Sequence, residues 1–294
     1  MATLLDFRRR IRSVKNTQQI TRAMKFVAAA RLRRAQEAAL AARPYAKELA
    51  RVLQSTMSRI AEPQHPLLAR RPEERILTLV LTGERGLAGA FNTNILRKAN
   101  EFFRANKDKK LSVVAVGKKG RDSLKKARFN LIAEYINVLA RVEFGTARDI
   151  SNLVIDLYSK EQIDSVYIAF SEFKTVMSAN LALEKLLPVE ADGGFGKEFG
   201  KDFGQASSQV DYIYEQPEAQ LLDKLLPRYV ETQILRAMLE SSAAEHAARM
   251  TAMESATKNA GDVIEALTLH MNKVRQAAIT KEIIEIVSGA SSTA

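Results

Sequence analysis

The 294-residue chain contains no cysteine and no tryptophan. The absence of cysteine excludes disulfides, thiol catalysis and cysteine-based zinc sites, and it permits a reducing compartment. No apolar run approaches the length of a membrane span, and the N-terminus lacks the apolar core of a signal peptide. We therefore expect a soluble, most simply cytoplasmic, protein that reaches a membrane only through partners. Proline is also scarce, and none follows Pro227, which leaves room for a long C-terminal helix.

Positive charge is concentrated in the first 60 residues. They hold 14 Lys/Arg against 3 Asp/Glu and so account for the whole net charge of +11. A basic helix of this kind can meet nucleic acid, an anionic membrane surface or an acidic protein partner. Its basic residues are not interleaved with aromatics, they spread around many helix faces, and no nucleic-acid-binding signature accompanies them. A basic scaffold that binds nucleic acid stays open as the alternative function.

Heptad spacing marks both ends of the chain. Near the N-terminus, sixteen positions alternate by four and three residues, and twelve of them are apolar: Phe7, Ile11, Val14, Gln18, Thr21, Lys25, Ala28, Leu32, Ala35, Ala39, Ala42, Ala46, Leu49, Leu53, Thr56 and Ile60. Near the C-terminus the same spacing recurs at Met250, Met253, Thr257, Ala260, Ile264, Leu267, Met271, Val274 and Ala278. Such seams are typical of a left-handed coiled coil. We predict two long helices, the first ended or kinked by Pro44 and the second running to about Val287.

Strands alternate with helices between these two ends. We predict strands at 76–82, 111–116, 165–174, 179–189 and 211–214, and helices at 92–106, 120–127 and 146–159, the last opened by Thr146. Residues 128–145 show only a weak pattern, and the glycine-rich stretch 192–205 indicates a mobile loop. The fold class is therefore α/β: a central, mainly parallel sheet domain with helices on its faces, plus a long antiparallel coiled coil formed by the N- and C-terminal helices. The predicted domains are 1–62, 73–216 and 217–290.

A glycine-rich turn follows the first predicted strand. Its glycines, Gly83, Gly86 and Gly89, lack the G-x-G-x-x-G spacing of nucleotide-binding folds, and Glu84 would repel phosphate there. A tight α/β turn is the favoured interpretation, and a nucleotide-using enzyme is the weakest of three candidate functions. The three histidines are isolated, and no metal-ligand spacing occurs. We expect no catalytic residue, no cofactor and no metal site.

Three stretches resemble the gamma subunit of F-type ATP synthases. They are residues 13–28 (SVKNTQQITRAMKFVA), 82–92 (TGERGLAGAFN) and 275–282 (RQAAITKE), the last running on to Glu285 and Gly289. Their order and spacing, together with the chain length, match that family over essentially the whole sequence. The resemblance implies a non-catalytic rotor. In that family the coiled coil fills the axis of a ring of α and β subunits, and ion flow turns it to drive ATP synthesis.

The resemblance also implies partners and contact residues. The globular base of the family's gamma subunit sits with the epsilon subunit on the membrane-embedded c-ring. By motif match, the residues that meet the β subunits are Arg275, Gln276, Thr280 and Glu282, with Met24 and Lys25 on the facing N-terminal helix. Since no transit-like leader is present, we expect a bacterial form, peripheral on the cytoplasmic side of the cell membrane. We further expect partners to meet the polar departures from the heptads, at Gln18, Thr21 and Lys25.

Overall fold

The computed structural model describes residues 3–59, 65–189 and 218–291. The chain divides into two compact units, one made of Met1–Ala28 with Arg249–Ala294 and the other of Ala29–Ala248. Two long helices, α1 (Leu4–Arg59) and α5 (Glu218–Ser291), contribute residues to both units. The predicted strand at 211–214 and the loop at 192–205 lie outside the described residues. So do residues next to both predicted domain boundaries, and that division of the chain stays a prediction.

The larger unit contains a five-stranded sheet in the order β3-β2-β1-β4-β5. Its elements in chain order are a short 3-10 helix (Pro66–Leu68), β1 (Arg75–Leu81), α2 (Phe91–Ala105), β2 (Lys110–Val116), α3 (Lys118–Lys126), β3 (Asn130–Tyr135), α4 (Phe144–Ser159), β4 (Ser165–Phe173) and β5 (Ala179–Leu187). The first four strands pair in parallel and β5 is antiparallel to β4. The predicted α/β class with a mainly parallel sheet is confirmed.

The central strands form the core because they are apolar on both faces. Residues 76–81 of β1 are all buried, as are residues 113–116 of β2, which is the pattern of a parallel strand covered by helices on both sides. The same core takes in Leu49 and Leu53 of α1 and Leu226, Val230 and Ile234 of α5. Both terminal helices therefore help to cover the sheet of this unit.

Strand β3 is an element that the sequence did not predict. Exposed and half-buried residues alternate along it, and among the strands that the structure describes it pairs only with β2, at the edge of the sheet. An edge strand needs no continuous apolar run, so its signal in the sequence is weak. The other edge among the described strands is β5, and Pro188 follows it directly, where no ladder hydrogen bond is needed.

Two predicted helix boundaries do not match the structure: an end at Pro44 and a start at Thr146. The sequence allowed either an end or a kink at Pro44, and helix α1 continues through it to Arg59, because Ala39, Ala46 and Leu49 are buried on both sides of the proline and their packing offsets the lost hydrogen bond. Helix α4 begins at Phe144 without a side-chain cap, so Thr146 lies inside its first turn. Its start coincides with a contact between the Phe144 ring and the Arg148 guanidinium, 5.0 Å from the ring centroid.

The smaller unit is a pair of helical segments that meet along the predicted heptad seams. The ring of Phe7 lies 5.0 Å from that of His270, while the Thr21 and Thr257 hydroxyls are 2.8 Å apart. Residue numbers rise along one segment as they fall along the other, so the pair is antiparallel. Every described seam position in both helices is buried or half-buried. The prediction of a coiled coil from the two chain ends is confirmed.

Candidate interaction surfaces

The turn after β1 caps the N-terminus of α3. Three successive backbone N–H groups of that helix are satisfied by three successive residues of the turn: Lys118 N by Glu84 Oε2 at 3.1 Å, Lys119 N by Gly83 O at 3.1 Å, and Gly120 N by Thr82 Oγ1 at 2.7 Å. A free helix N-terminus is a ready-made anion site. Here the chain's own carboxylate and hydroxyl take that place, so the turn is an architectural feature.

Gly117, just before α3, allows the backbone of the turn to approach the start of that helix closely. Its φ is +99°, and a Cβ at this position would lie 1.8 Å from the carbonyl oxygen of Thr82. Only glycine can adopt this positive φ and also lie this close to Thr82 without moving the backbone. The sequence showed this glycine only as the end of a strand, and the contact that requires it comes from a turn 35 residues earlier.

Helix α5 covers the carboxyl ends of the strands, where folds of this type bind ligands. With this strand order, that place lies between the carboxyl ends of β1 and β4. At the end of β4, Ser171 N donates to Ser241 Oγ at 3.2 Å and Phe173 N donates to Glu240 Oε2 at 3.1 Å. At the end of β1, a Cβ on Gly83 would lie 2.7 Å from Glu245 Oε1. Side chains of α5 thus fill the crevice.

Buried ion pairs hold this part of α5 in place. Glu240, with 1% of its side chain exposed, pairs with Arg43 of α1 at 2.8 Å. One turn earlier, Arg236 pairs with Glu172 of β4 at 3.3 Å. Breaking a buried pair leaves an uncompensated charge, so these contacts resist any rearrangement that would open the crevice. The sequence alone gave no sign of them, because each pair joins residues that are distant along the chain.

The polar seam residues of α1 contact the second helix of the pair. Gln18 Nε2 donates to the carbonyl oxygen of Thr257 at 3.4 Å, Thr21 shares a hydrogen bond with the Thr257 hydroxyl, and Lys25 forms an ion pair with Glu254. We expected these three positions to meet partner subunits. In the structure each of them also makes a polar contact within the helix pair, to Thr257 or Glu254, and their contact with partners stays a prediction.

The six predicted contact residues do not form one cluster. Met24 and Lys25 are half-buried, and Lys25 pairs with Glu254, whereas all four residues of the C-terminal motif are exposed: Arg275, Gln276, Thr280 and Glu282. At 1.5 Å per residue, the separation between Glu254 and Arg275 is about 30 Å along the helix. The structure therefore presents two separate places, one on the helix pair and one at the end of α5.

The end of α5 also carries an exposed apolar stripe that sequence reasoning missed. It consists of Ile279, Ile283 and Ile286, whose exposed fractions are 48%, 55% and 71%. A spacing of i, i+4, i+7 puts them on one helix face. On a helical wheel of 100° per residue, Arg275 and Glu282 border this isoleucine stripe on one side, and Gln276 and Thr280 border it on the other.

The paired heptad helices and the closed α/β unit together define a scaffold or interaction protein. Within the described helices, no stretch is both long and apolar enough to cross a membrane. A family model described as ATP synthase matches residues 3–293. The ATP synthase gamma chain of Solibacter usitatus is 48% identical over 295 residues, and that of Pelotomaculum thermopropionicum is 44% identical over 291 residues; each alignment covers 99% of both chains.

Solved structures agree on the fold. A chain from the Euglena gracilis mitochondrial ATP synthase (OSCP/F1/c-ring, rotational state 3) superposes with a TM-score of 0.66 at 19% identity, covering 99% of this chain and 94% of that one. A chain from the Tetrahymena thermophila central stalk and c-ring gives 0.61 at 23% identity, covering 81% and 99%. The chain belongs to the gamma-chain family of ATP synthases. The family prediction from the motifs is confirmed, and none of these relatives favours the nucleic-acid alternative.

Proposed function

We propose that this chain is the central-stalk rotor subunit of an F-type ATP synthase. It couples ion flow through the membrane c-ring to ATP synthesis or hydrolysis at the β subunits by rotation, and it has no catalytic residue of its own. Family membership across 99% of the chain supports this role. An antiparallel helix pair with a tightly packed seam is also what transmission of torque requires, since each helix resists bending of the other.

The observation that carries the proposal is the isoleucine stripe. Exposed isoleucines at this density are unfavourable in water and mark a surface that a partner covers. Neutral and charged groups border the stripe, Gln276 and Thr280 on one side and Arg275 and Glu282 on the other, which is the arrangement of an apolar contact with a polar rim. We assign this surface to the inside of the α and β ring.

The remaining contacts follow from the same role. Met24 and Lys25 face the β subunits from the helix pair, further along the shaft. The α/β unit, whose crevice is filled by side chains of α5, serves as the base that meets the epsilon subunit and the c-ring. The chain is then peripheral on the cytoplasmic side of a bacterial cell membrane, held there through its partners.

The test uses the assembled enzyme in vesicles and compares isoleucines on two faces of one helix. Glutamine at both Ile279 and Ile283 should lower the ATP synthesis rate, because each half-exposed isoleucine contributes about 1 kcal/mol on burial. Ile284, which is 58% exposed, lies on the opposite face, and Ile284→Gln is the matched control. Equal synthesis by the double variant and the control, at equal assembly, would overturn the assignment of the stripe.

A charge exchange tests the predicted polar contacts. The double variant Arg275→Glu with Glu282→Arg keeps the net charge and the helix but reverses both signs on one face. We expect a reduced ATPase rate in the assembled complex and unchanged assembly. An unchanged coupled rate would count against a contact role for these two residues.

A further inference from the structure

The larger unit contains a cleft lined by three arginines. Its volume is about 450 Å³, and it lies between α1, the loop that follows β3, and α5. Arg31 and Arg34 come from α1 and Arg141 from the loop. Because Arg31 and Arg34 are three residues apart on a helix, their side chains leave the same face.

The charge of this cleft is largely uncompensated. Arg31 and Arg34 are exposed and form no ion pair with any residue that the structure describes. Arg141 lies 3.2 Å from Glu143, but both side chains are mostly exposed, at 89% and 60%, so solvent screens this pair. No carboxylate is among the described residues that line the cleft. Three arginines therefore line a common cleft, and only Arg141 has a carboxylate beside it, in an exposed pair.

The wall opposite α1 is fixed in position. The hydroxyl of Ser242 on α5 donates to the carbonyl oxygen of Leu139 at 2.9 Å, and both residues are buried. This bond ties the loop that carries Arg141 to the helix. Leu239 and Ala38 add apolar surface to the lining of the cleft. A wall held in this way limits the conformational entropy that a ligand would have to remove.

We propose that this arginine cleft binds a phosphate-bearing anion. Guanidinium groups donate two parallel hydrogen bonds to phosphate oxygens and stay charged at every physiological pH. Three of them around one space fit a ligand with several phosphoryl groups better than a single carboxylate. The apolar surface beside them fits a nucleoside, so the ligand is either a bare phosphate chain or a nucleotide. The proposal is independent of the rotor assignment, since it uses none of the residues proposed there.

The test is calorimetric titration of the full-length chain with inorganic tripolyphosphate and, separately, with ATP, at one fixed ionic strength. We expect saturable binding of one equivalent of each. The double variant Arg31→Ala with Arg34→Ala should weaken binding at least about tenfold. Each substitution removes hydrogen bonds between charged groups, which are stronger than those between neutral groups. ATP binding much more tightly than tripolyphosphate would identify a nucleotide site, and equal affinities would identify a site for the phosphate chain alone.

The matched control is Arg8→Ala with Arg9→Ala. Those two arginines are equally exposed but belong to the other unit, and their removal lowers the net charge by the same amount. The control should bind like the unmodified chain. The proposal is overturned if neither anion binds saturably, or if the control loses as much affinity as the cleft variant. The second result would mean that the anion follows the overall positive charge of the chain.

Discussion

Two buried threonines should respond in opposite directions to the same substitution. Thr78 lies in β1 and Thr82 directly follows it, and neither side chain is exposed. The Thr82 hydroxyl accepts from Gly120 N at 2.7 Å and lies 3.3 Å from the carbonyl oxygen of Val116. The Thr78 hydroxyl has no hydrogen-bond partner among the described residues. Valine has nearly the shape of threonine, so Thr82→Val and Thr78→Val isolate the two hydroxyl groups.

The expected free energies follow from these contacts. Thr82→Val leaves the buried Gly120 N–H without an acceptor, which costs about 1–3 kcal/mol. We expect a net loss of about 2 kcal/mol in the free energy of unfolding. Thr78→Val removes a buried hydroxyl that has no partner, and it should stabilise the unit by about 1 kcal/mol. The two variants should therefore differ by about 3 kcal/mol although the chemical change is identical.

The composition of the chain supplies a selective assay. It has no tryptophan, and all seven tyrosines lie between residues 29 and 248, so near-UV circular dichroism of tyrosine in urea follows the larger unit. With a slope of about 2 kcal/mol per molar urea, the midpoint should fall by about 1 M for Thr82→Val and rise by about 0.5 M for Thr78→Val.

Two results would contradict these values: Thr82→Val as stable as the unmodified chain, or an equal loss of stability in both variants. The first result would mean that capping of α3 by the turn does not stabilise the fold. The second would mean that valine is disfavoured at both positions by shape. Thr82→Ser separates these causes, because it keeps the hydroxyl and loses only a methyl group, worth about 1 kcal/mol.

Two further predictions concern charge and register. The guanidinium of Arg75, 2.6 Å from Asp164, holds the pKa of that carboxyl below its ordinary value. A lowered pKa means that the ionised carboxylate stabilises the fold above the unfolded pKa of about 3.9. The stability advantage over Asp164→Asn in urea titrations should shrink as the pH falls from 6 to 3; a constant difference would contradict the ion pair. In this cysteine-free chain, cysteines at Thr21 and Thr257 should form a disulfide on mild oxidation, since the two hydroxyls are 2.8 Å apart. Cysteines at Thr21 and Thr268 should not, being offset by about 16 Å along the helix, and crosslinking of both pairs alike would refute the register.

Periodicity predicted the long helices well and their surroundings poorly. The predicted seam of α1 is buried or half-buried at every described position. An apolar residue every 3.5 positions is the pattern that a buried helix seam requires. At the polar seam positions the sequence left out a contact within the chain: Gln18 and Thr21 were expected to meet partners, and both also bond to Thr257. A sequence shows that a residue departs from a pattern, but its bonding partner comes from a helix more than 200 residues away.

The isoleucine stripe shows a second limit. Its spacing of i, i+4, i+7 is the same spacing that marks a buried seam, so the sequence does not tell whether a partner helix is present. That depends on where α1 begins. Phe7 contacts His270 and α1 starts at Leu4, so the last turns of α5 extend past the start of α1. Only the register of the pair reveals that Ile283 and its neighbours are uncovered.

The closed crevice explains how this sheet topology serves a subunit without catalytic chemistry. Parallel strands in this order place free backbone groups at their carboxyl ends, and in nucleotide-binding folds a phosphate satisfies such groups. Here Glu84, Glu240 and Ser241 satisfy them from within the chain. An incoming phosphate would have to displace two carboxylates and then face their charge. The same bonds tie the middle of α5 to the sheet, and a helix that must transmit torque is thereby fixed to its base by the groups that would otherwise hold a ligand.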